Sequence, residues 1–149
     1  MELNHLIYVG RRLTQSGHLA ARLTFPDLVG AESVVLADLL GQRFSTVTEI
    51  AQRIGYTQGR VSTAVAALRE AGLVGSRVDE KDGRKTVLFA SELGSSLGED
   101  QPDQSAEGIL DHILAGVAES DREMIKHALE ILHDALKATD PAVRERFPS

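Results

Sequence analysis

Residues 46–90, TVTEIAQRIGYTQGRVSTAVAALREAGLVGSRVDEKDGRKTVLFA, decide how this chain folds. They open on Thr46-Val47-Thr48-Glu49, the pattern of a capping box. The Thr46 hydroxyl can accept an amide proton of the first turn while the Glu49 carboxylate reaches back to the cap. The helix this starts is short, because Gly55 ends it. Two residues later Thr57 can cap a second helix, on which Val61, Val65 and Leu68 share one face and Gly72 marks the end. Leu73 and Val74 are placed to pack back beneath that helix. The pattern then changes to two β-prone runs, GSRV and TVLFA, flanking residues 79–85. Asp82-Gly83 between such runs predicts a hairpin with a tight turn, in which Gly83 supplies a positive φ.

Helix, tight turn, helix and a two-stranded hairpin follow one another in the order of a winged helix-turn-helix. The first short helix braces the second, whose N-terminal side chains can enter a DNA major groove roughly 12 Å wide. On that helix Gln58, Gly59, Arg60, Ser62 and Thr63 are expected to face outward while Val61 and Val65 face inward. Arginine pairs bidentately with guanine and glutamine with adenine, so Arg60 and Gln58 are the expected base readers. Gly59 would let the backbone approach a phosphate, and Ser62 and Thr63 are expected on phosphates. Thr57 at the cap and Arg77 on the first strand complete the candidate set, with Lys81, Arg84 and Lys85 on the wing. A basic hairpin of this kind suits the neighbouring minor groove. Asp79 is expected to orient the wing by pairing with a basic partner.

Outward from this lobe, residues 3–23 carry leucines at helical spacing until Thr24-Phe25-Pro26-Asp27 breaks the pattern. A second helix is expected over residues 30–41. Residues 94–105, GSSLGEDQPDQS, read as a surface loop, and a further helix is expected over residues 106–118. A last helix is expected to start after Ser120, where Ser-Asp-Arg-Glu forms a second capping box, and to stop at Pro141. The fold class is therefore mainly α with a small β-hairpin (α+β), in one domain spanning residues 1–149. A winged lobe covers 30–92, and a helical dimerisation region is formed by 1–24 and 105–140. Leu3, Leu6, Ile125, Leu129, Leu132 and Leu136 are the expected dimer contacts, since this apolar stripe exceeds what one lobe needs for cover. A two-fold homodimer would present its recognition helices about one DNA turn, roughly 34 Å, apart on a pseudopalindrome.

With 42% hydrophobic and 26% charged residues the chain has the make-up of a globular protein. Its net charge of −6 argues at first against nucleic acid. The distribution argues otherwise, because Arg53 to Lys85 holds seven basic residues against four acids, a net of +3, leaving −9 elsewhere. The absence of cysteine removes disulfides and thiolate metal sites. His112, His127 and His133 lack zinc-ligand spacing, so no metal and no cofactor is expected. No apolar run is long enough to span a bilayer, and the first residues do not have the order of charges of a secretory signal, so a cytoplasmic location is expected. A phosphate-binding glycine loop, a nucleophile elbow and an HExxH motif are missing, which argues against an enzyme. His5, Arg11, Arg12, His18 and Arg22 on the first helix are candidate liners of a site for a small organic anion or phenolate.

The segment from Thr46 to Phe89 resembles the DNA-binding lobe of the MarR family of regulators. Its wing is similar to that family's D-x-R-x-x-R signature, met here by Asp79, Lys81 and Arg84 with lysine in place of the first arginine. The resemblance implies a cytoplasmic homodimeric transcriptional regulator of double-stranded DNA, in many members a repressor released by a small-molecule effector. The family's long helix after the wing departs here, where GEDQPDQS interrupts it. The competing reading is a winged-helix protein-interaction module without specific DNA binding. Such a module would more often carry apolar residues where Gln58, Arg60 and Arg84 stand.

Overall fold

The structure is a computed structural model and describes residues 2–80, 82–99 and 106–146. Seven helices and one hairpin are present among them: α1 (Leu3–Thr24), α2 (Glu32–Gly41), α3 (Val47–Ile54), α4 (Gln58–Glu70), β1 (Val74–Val78), β2 (Thr86–Ala90), α5 (Glu92–Glu99), α6 (Ala106–Ile113) and α7 (Glu119–Arg146). The chain divides into a unit of residues 1–106 and a unit of residues 107–149.

The first unit is built around α2. This helix is apolar on most of its circumference, and it packs against α1, α3, α4 and β2. Val35, Leu36, Leu39, Ile50, Val61 and Leu68 are shut off from solvent and form the centre of the core. The local signals that start and stop the helices act as their chemistry requires. Thr46 Oγ1 accepts the Glu49 amide at 3.3 Å and Glu49 Oε2 accepts the Thr46 amide at 2.7 Å, closing the capping box. Gly55 takes φ 70° at the end of α3, and Gly72 takes φ 74° after α4, a left-handed conformation that glycine adopts without strain.

β1 and β2 pair antiparallel, with Gly75 opposite Phe89 and Ser76 opposite Leu88. Ser45 exchanges two backbone hydrogen bonds with Leu88, at 3.0 and 2.8 Å, which ties the hairpin to the loop before α3. The loop joining the strands corrects one expectation. The tight turn is present, closed where the Lys85 amide donates to the Asp82 carbonyl at 2.9 Å beyond an Asp79 amide to Lys85 carbonyl bond of 2.8 Å, but Gly83 within it does not take a positive φ. Side-chain acceptors reinforce it: Asp79 Oδ1 accepts the Asp82 amide and Asp82 Oδ1 accepts the Arg84 amide, both at 3.1 Å.

Residues 94–99, expected in a loop, belong to α5. Ser91 starts this helix, its Oγ accepting the Gly94 amide at 3.0 Å while donating to the Gly72 carbonyl at 2.7 Å. Gly94 is needed for close approach, since a Cβ there would stand 2.3 Å from the Leu73 carbonyl oxygen. Residues 100–105, including the interruption at Pro102, lie outside the described residues.

In the second unit α6 ends at Ile113, five residues before the expected limit. Arg122 closes that end: Nε donates to the Val117 carbonyl at 2.8 Å and Nη2 to that of Ala115 at 3.0 Å. α7 begins at Glu119, so Ser120 lies inside the helix and does not cap it. Nor does Pro141 end α7, which continues to Arg146; a proline removes one donor from the ladder without obliging the helix to stop. Among the described residues no helix is long and apolar enough to cross a membrane.

Candidate nucleic-acid interface

The N-terminal turns of α4 carry the first part of the candidate interface. Thr57 Oγ1 accepts the Arg60 amide at 3.3 Å, so Thr57 serves as the cap of the helix. The buried Val61, Ala64, Val65 and Leu68 lock one face against the core. Gln58, Gly59, Arg60, Ser62 and Thr63 are then all exposed on the other, as the spacing predicts. Thr63 Oγ1 donates to the Gly59 carbonyl at 3.0 Å, while open space surrounds the position where Gly59 would carry a Cβ.

The wing supplies the second part. Arg84 and Lys85 are exposed and have no ion-pair partner among the described residues. Lys81 lies outside the described residues. Arg77 is held at the stem: its guanidinium lies 4.0 Å from the centroid of the Phe44 ring and 3.4 Å from a Glu80 carboxylate oxygen. Phe44 in turn meets Phe89 edge-on at 6.0 Å, and Phe89 lies across Gly75, where a Cβ would come within 2.4 Å of the ring. Arg43 approaches Phe44 at 5.6 Å.

Arg53, counted in the basic stretch, is neutralised within the lobe. It binds Asp38 at 2.6 Å and so joins α3 to α2. Among the described residues of the stretch, Arg60, Arg69, Arg84 and Lys85 are the cations left exposed without an ion-pair partner.

Tyr56, Phe44, Arg43 and Asp38 were not singled out by sequence reasoning. Tyr56 stands four residues before Arg60, a spacing that could have drawn attention to it. The Arg60 guanidinium lies 3.9 Å from the Tyr56 ring centroid, well within cation–π range.

The ligand candidates on α1 separate. Arg11 and His18 share one open face of α1 with Leu6, Ile7 and Thr14. His5 is exposed, Arg12 bonds Gln15 on its own helix, and Arg22 bonds the His18 carbonyl. His18 is half-buried and its ring is engaged on both nitrogens, with Nε2 3.1 Å from the Ile54 carbonyl oxygen and Nδ1 3.4 Å from the Tyr56 hydroxyl. Burial pushes its pKa below the ordinary value; the bond to Ile54 opposes this, and the nearby Arg22 and Arg60 charges add to it.

Of the expected dimer contacts, Leu3, Leu6, Leu132 and Leu136 are exposed, whereas Ile125 and Leu129 are half-buried. Among the described residues of the second unit no hydrophobic side chain is buried, and α1 buries only Ala21. No group of three metal-ligating side chains occurs among the described residues.

The sequence profile of the MarR family matches residues 34–85, which span α2 to the wing. No curated protein matches the chain. Among solved structures, BpsR of Bordetella bronchiseptica is 25% identical, with 89% of this chain and 94% of that chain covered and a TM-score of 0.59. Apo MarR of E. coli is 15% identical over 89% of this chain and 97% of that one, with a TM-score of 0.68. MepR of S. aureus, solved bound to DNA, is 20% identical over 87% of this chain and 96% of that one, with a TM-score of 0.59. The MarR family profile thus matches the winged-helix lobe of this chain, and its described fold is shared with these solved proteins.

Proposed function

We propose that this chain is a transcriptional repressor that binds a pseudopalindromic operator in double-stranded DNA as a homodimer in the cytoplasm. The observation that carries the reading is the N-terminal face of α4. There Gln58, Arg60, Ser62 and Thr63 stand clear of a core sealed by Val61 and Leu68. A helix exposing a bidentate cation, an amide and two hydroxyls over its first turns is equipped for a major groove. Arg84 and Lys85 add phosphate or minor-groove contacts from the wing. The solution of MepR with DNA supports the use of this lobe for DNA.

What the chain leaves uncovered supports the homodimer. α1 exposes Leu3, Leu6, Ile7, Leu13, Leu19 and Leu23, and the second unit exposes Met124, Ile131, Leu132 and Leu136. So much apolar surface on two long helices is covered best by a second copy. A small aromatic or carboxylate effector is supported by Arg11 on the open face of α1 and by BpsR, whose DNA binding is regulated by 6-hydroxynicotinic acid.

A footprint on the DNA flanking the gene for this chain tests the reading. A protected pseudopalindrome is expected. No protection, with partner proteins retained instead, would favour an interaction module. Sedimentation is expected to show a dimer at micromolar concentration, and a folded monomer there would remove the two-fold arrangement.

A further inference from the structure

Three side chains from separate elements form a continuous stack leading from α1 to the exposed face of α4. His18 is on α1, Tyr56 is in the turn between α3 and α4, and Arg60 is on the third residue of α4. A carbonyl only accepts hydrogen bonds, so the 3.1 Å contact to Ile54 puts the His18 proton on Nε2. In the neutral ring Nδ1 then offers its lone pair to the Tyr56 hydroxyl, 3.4 Å away. The two rings also meet edge-on, with centroids 5.0 Å apart and an angle of 61° between planes. Tyr56 is thereby held from the α1 side, and Arg60 rests on its ring at 3.9 Å.

An exposed arginine is a long side chain with many rotamers, and docking it onto one base costs that freedom. Arg60 has no carboxylate partner among the described residues, so the Tyr56 ring is what restrains its guanidinium. A cation held by a π face keeps its N–H groups available for acceptors. We infer that Tyr56, braced by His18, is a positioning residue that aims Arg60 for base readout and so sets how sharply the protein discriminates at the base Arg60 meets. This rests on the reading of α4 as the recognition helix. It adds that the selectivity of that helix is partly determined by a residue outside it.

The test uses full-length protein and a pool of random-sequence duplexes. The sequence selected by the wild type is resynthesised with each base pair substituted in turn, and affinities are compared for wild type, Arg60→Ala, Tyr56→Phe and Tyr56→Leu. Arg60→Ala is expected to abolish discrimination at one position. Tyr56→Leu is expected to lower discrimination at that same position about two- to fivefold, the worth of an exposed cation–π contact. Tyr56→Phe, which keeps the ring, is expected to restore most of it, and Tyr56→Leu combined with Arg60→Ala to be no worse there than Arg60→Ala alone. Discrimination that depends on Arg60 but is unchanged in Tyr56→Leu overturns the inference alone. Failure to select any sequence, or discrimination indifferent to Arg60→Ala, overturns the reading of the lobe and the inference with it.

A second measurement is independent of how well Tyr56→Leu folds. In the wild type, proton NMR is expected to show the Arg60 δ-methylene protons shifted upfield of those of the other arginines by the Tyr56 ring current. Unshifted Arg60 protons would overturn the inference.

Discussion

Arg53 grips both carboxylate oxygens of Asp38, Nε to Oδ1 at 2.9 Å and Nη2 to Oδ2 at 2.6 Å, and Nη2 also donates to Ser45 Oγ at 2.6 Å. One guanidinium thus joins α3, α2 and the residue whose backbone pairs with β2. The bracing helix and the wing are fixed to the same point. Asp38→Ala leaves Arg53 without its two-point partner at a site where the carboxylate is only 10% exposed. The lobe is expected to lose about 2 kcal/mol of stability, read from denaturant unfolding. A loss within measurement error would mean that the pair does not join these elements energetically.

Gly94 and Leu73 give a second expected outcome. Gly94→Ala places a Cβ 2.3 Å from a backbone oxygen, which cannot swing aside as a side-chain tip can. Destabilisation of about 2 kcal/mol or more is expected from the forced shift of α5. Thermal unfolding that matches the wild type would contradict the close approach.

Gly59 separates stability from binding. Open space surrounds its missing Cβ and it lies within the first turn of α4, so Gly59→Ala is expected to raise stability by about 0.5–1 kcal/mol. If the backbone there meets a phosphate, the same methyl lowers DNA affinity. Opposite signs in the melting and binding experiments are expected. A rise in both would remove Gly59 from the interface.

These three positions show what was legible in the sequence. Caps and helix stops are local chemistry, so Thr46 with Glu49, Thr57, Gly55 and Gly72 could be assigned from their neighbours alone. The outward set on α4 followed from the same periodicity that placed Val61 and Val65 inside. Gly94 was misread because a glycine that permits close packing looks in sequence like a glycine that ends a helix. Arg77 and Arg53 were correctly seen as cations, but their partners Phe44 and Asp38 are brought to them by tertiary structure. In sequence Tyr56 is only part of a turn, since the fold alone brings His18 to one side of its ring and Arg60 to the other. The hairpin and its turn at Asp82-Gly83 are legible, but the positive φ is not needed, because Asp79 and Asp82 side chains hold the turn in a conformation open to any residue.

His18 makes stability depend on pH in a defined direction. Its folded-state pKa is lowered, mainly by burial, so the unfolded chain binds the proton more readily. The stability gained from the neutral ring is complete above the ordinary imidazole value of about 6.5 and is lost as pH falls from there toward the lower folded value. Melting temperatures compared at about pH 7.5 and pH 5.5 are expected to fall more for the wild type than for His18→Gln. Equal falls would show that His18 is not the group responsible.

DNA recognition by the exposed face of α4 and the wing is tested most directly by duplex affinity as a function of salt. The wild type is expected to bind the selected duplex with a steep linear fall of log affinity against log salt, roughly 0.9 per phosphate contact. Arg84→Ala should reduce that slope by about one while lowering affinity for all sequences, and Arg60→Ala should leave the slope nearly unchanged while relaxing sequence preference. Binding that is absent, insensitive to salt, or unaffected by Arg60→Ala and Arg84→Ala together would contradict it.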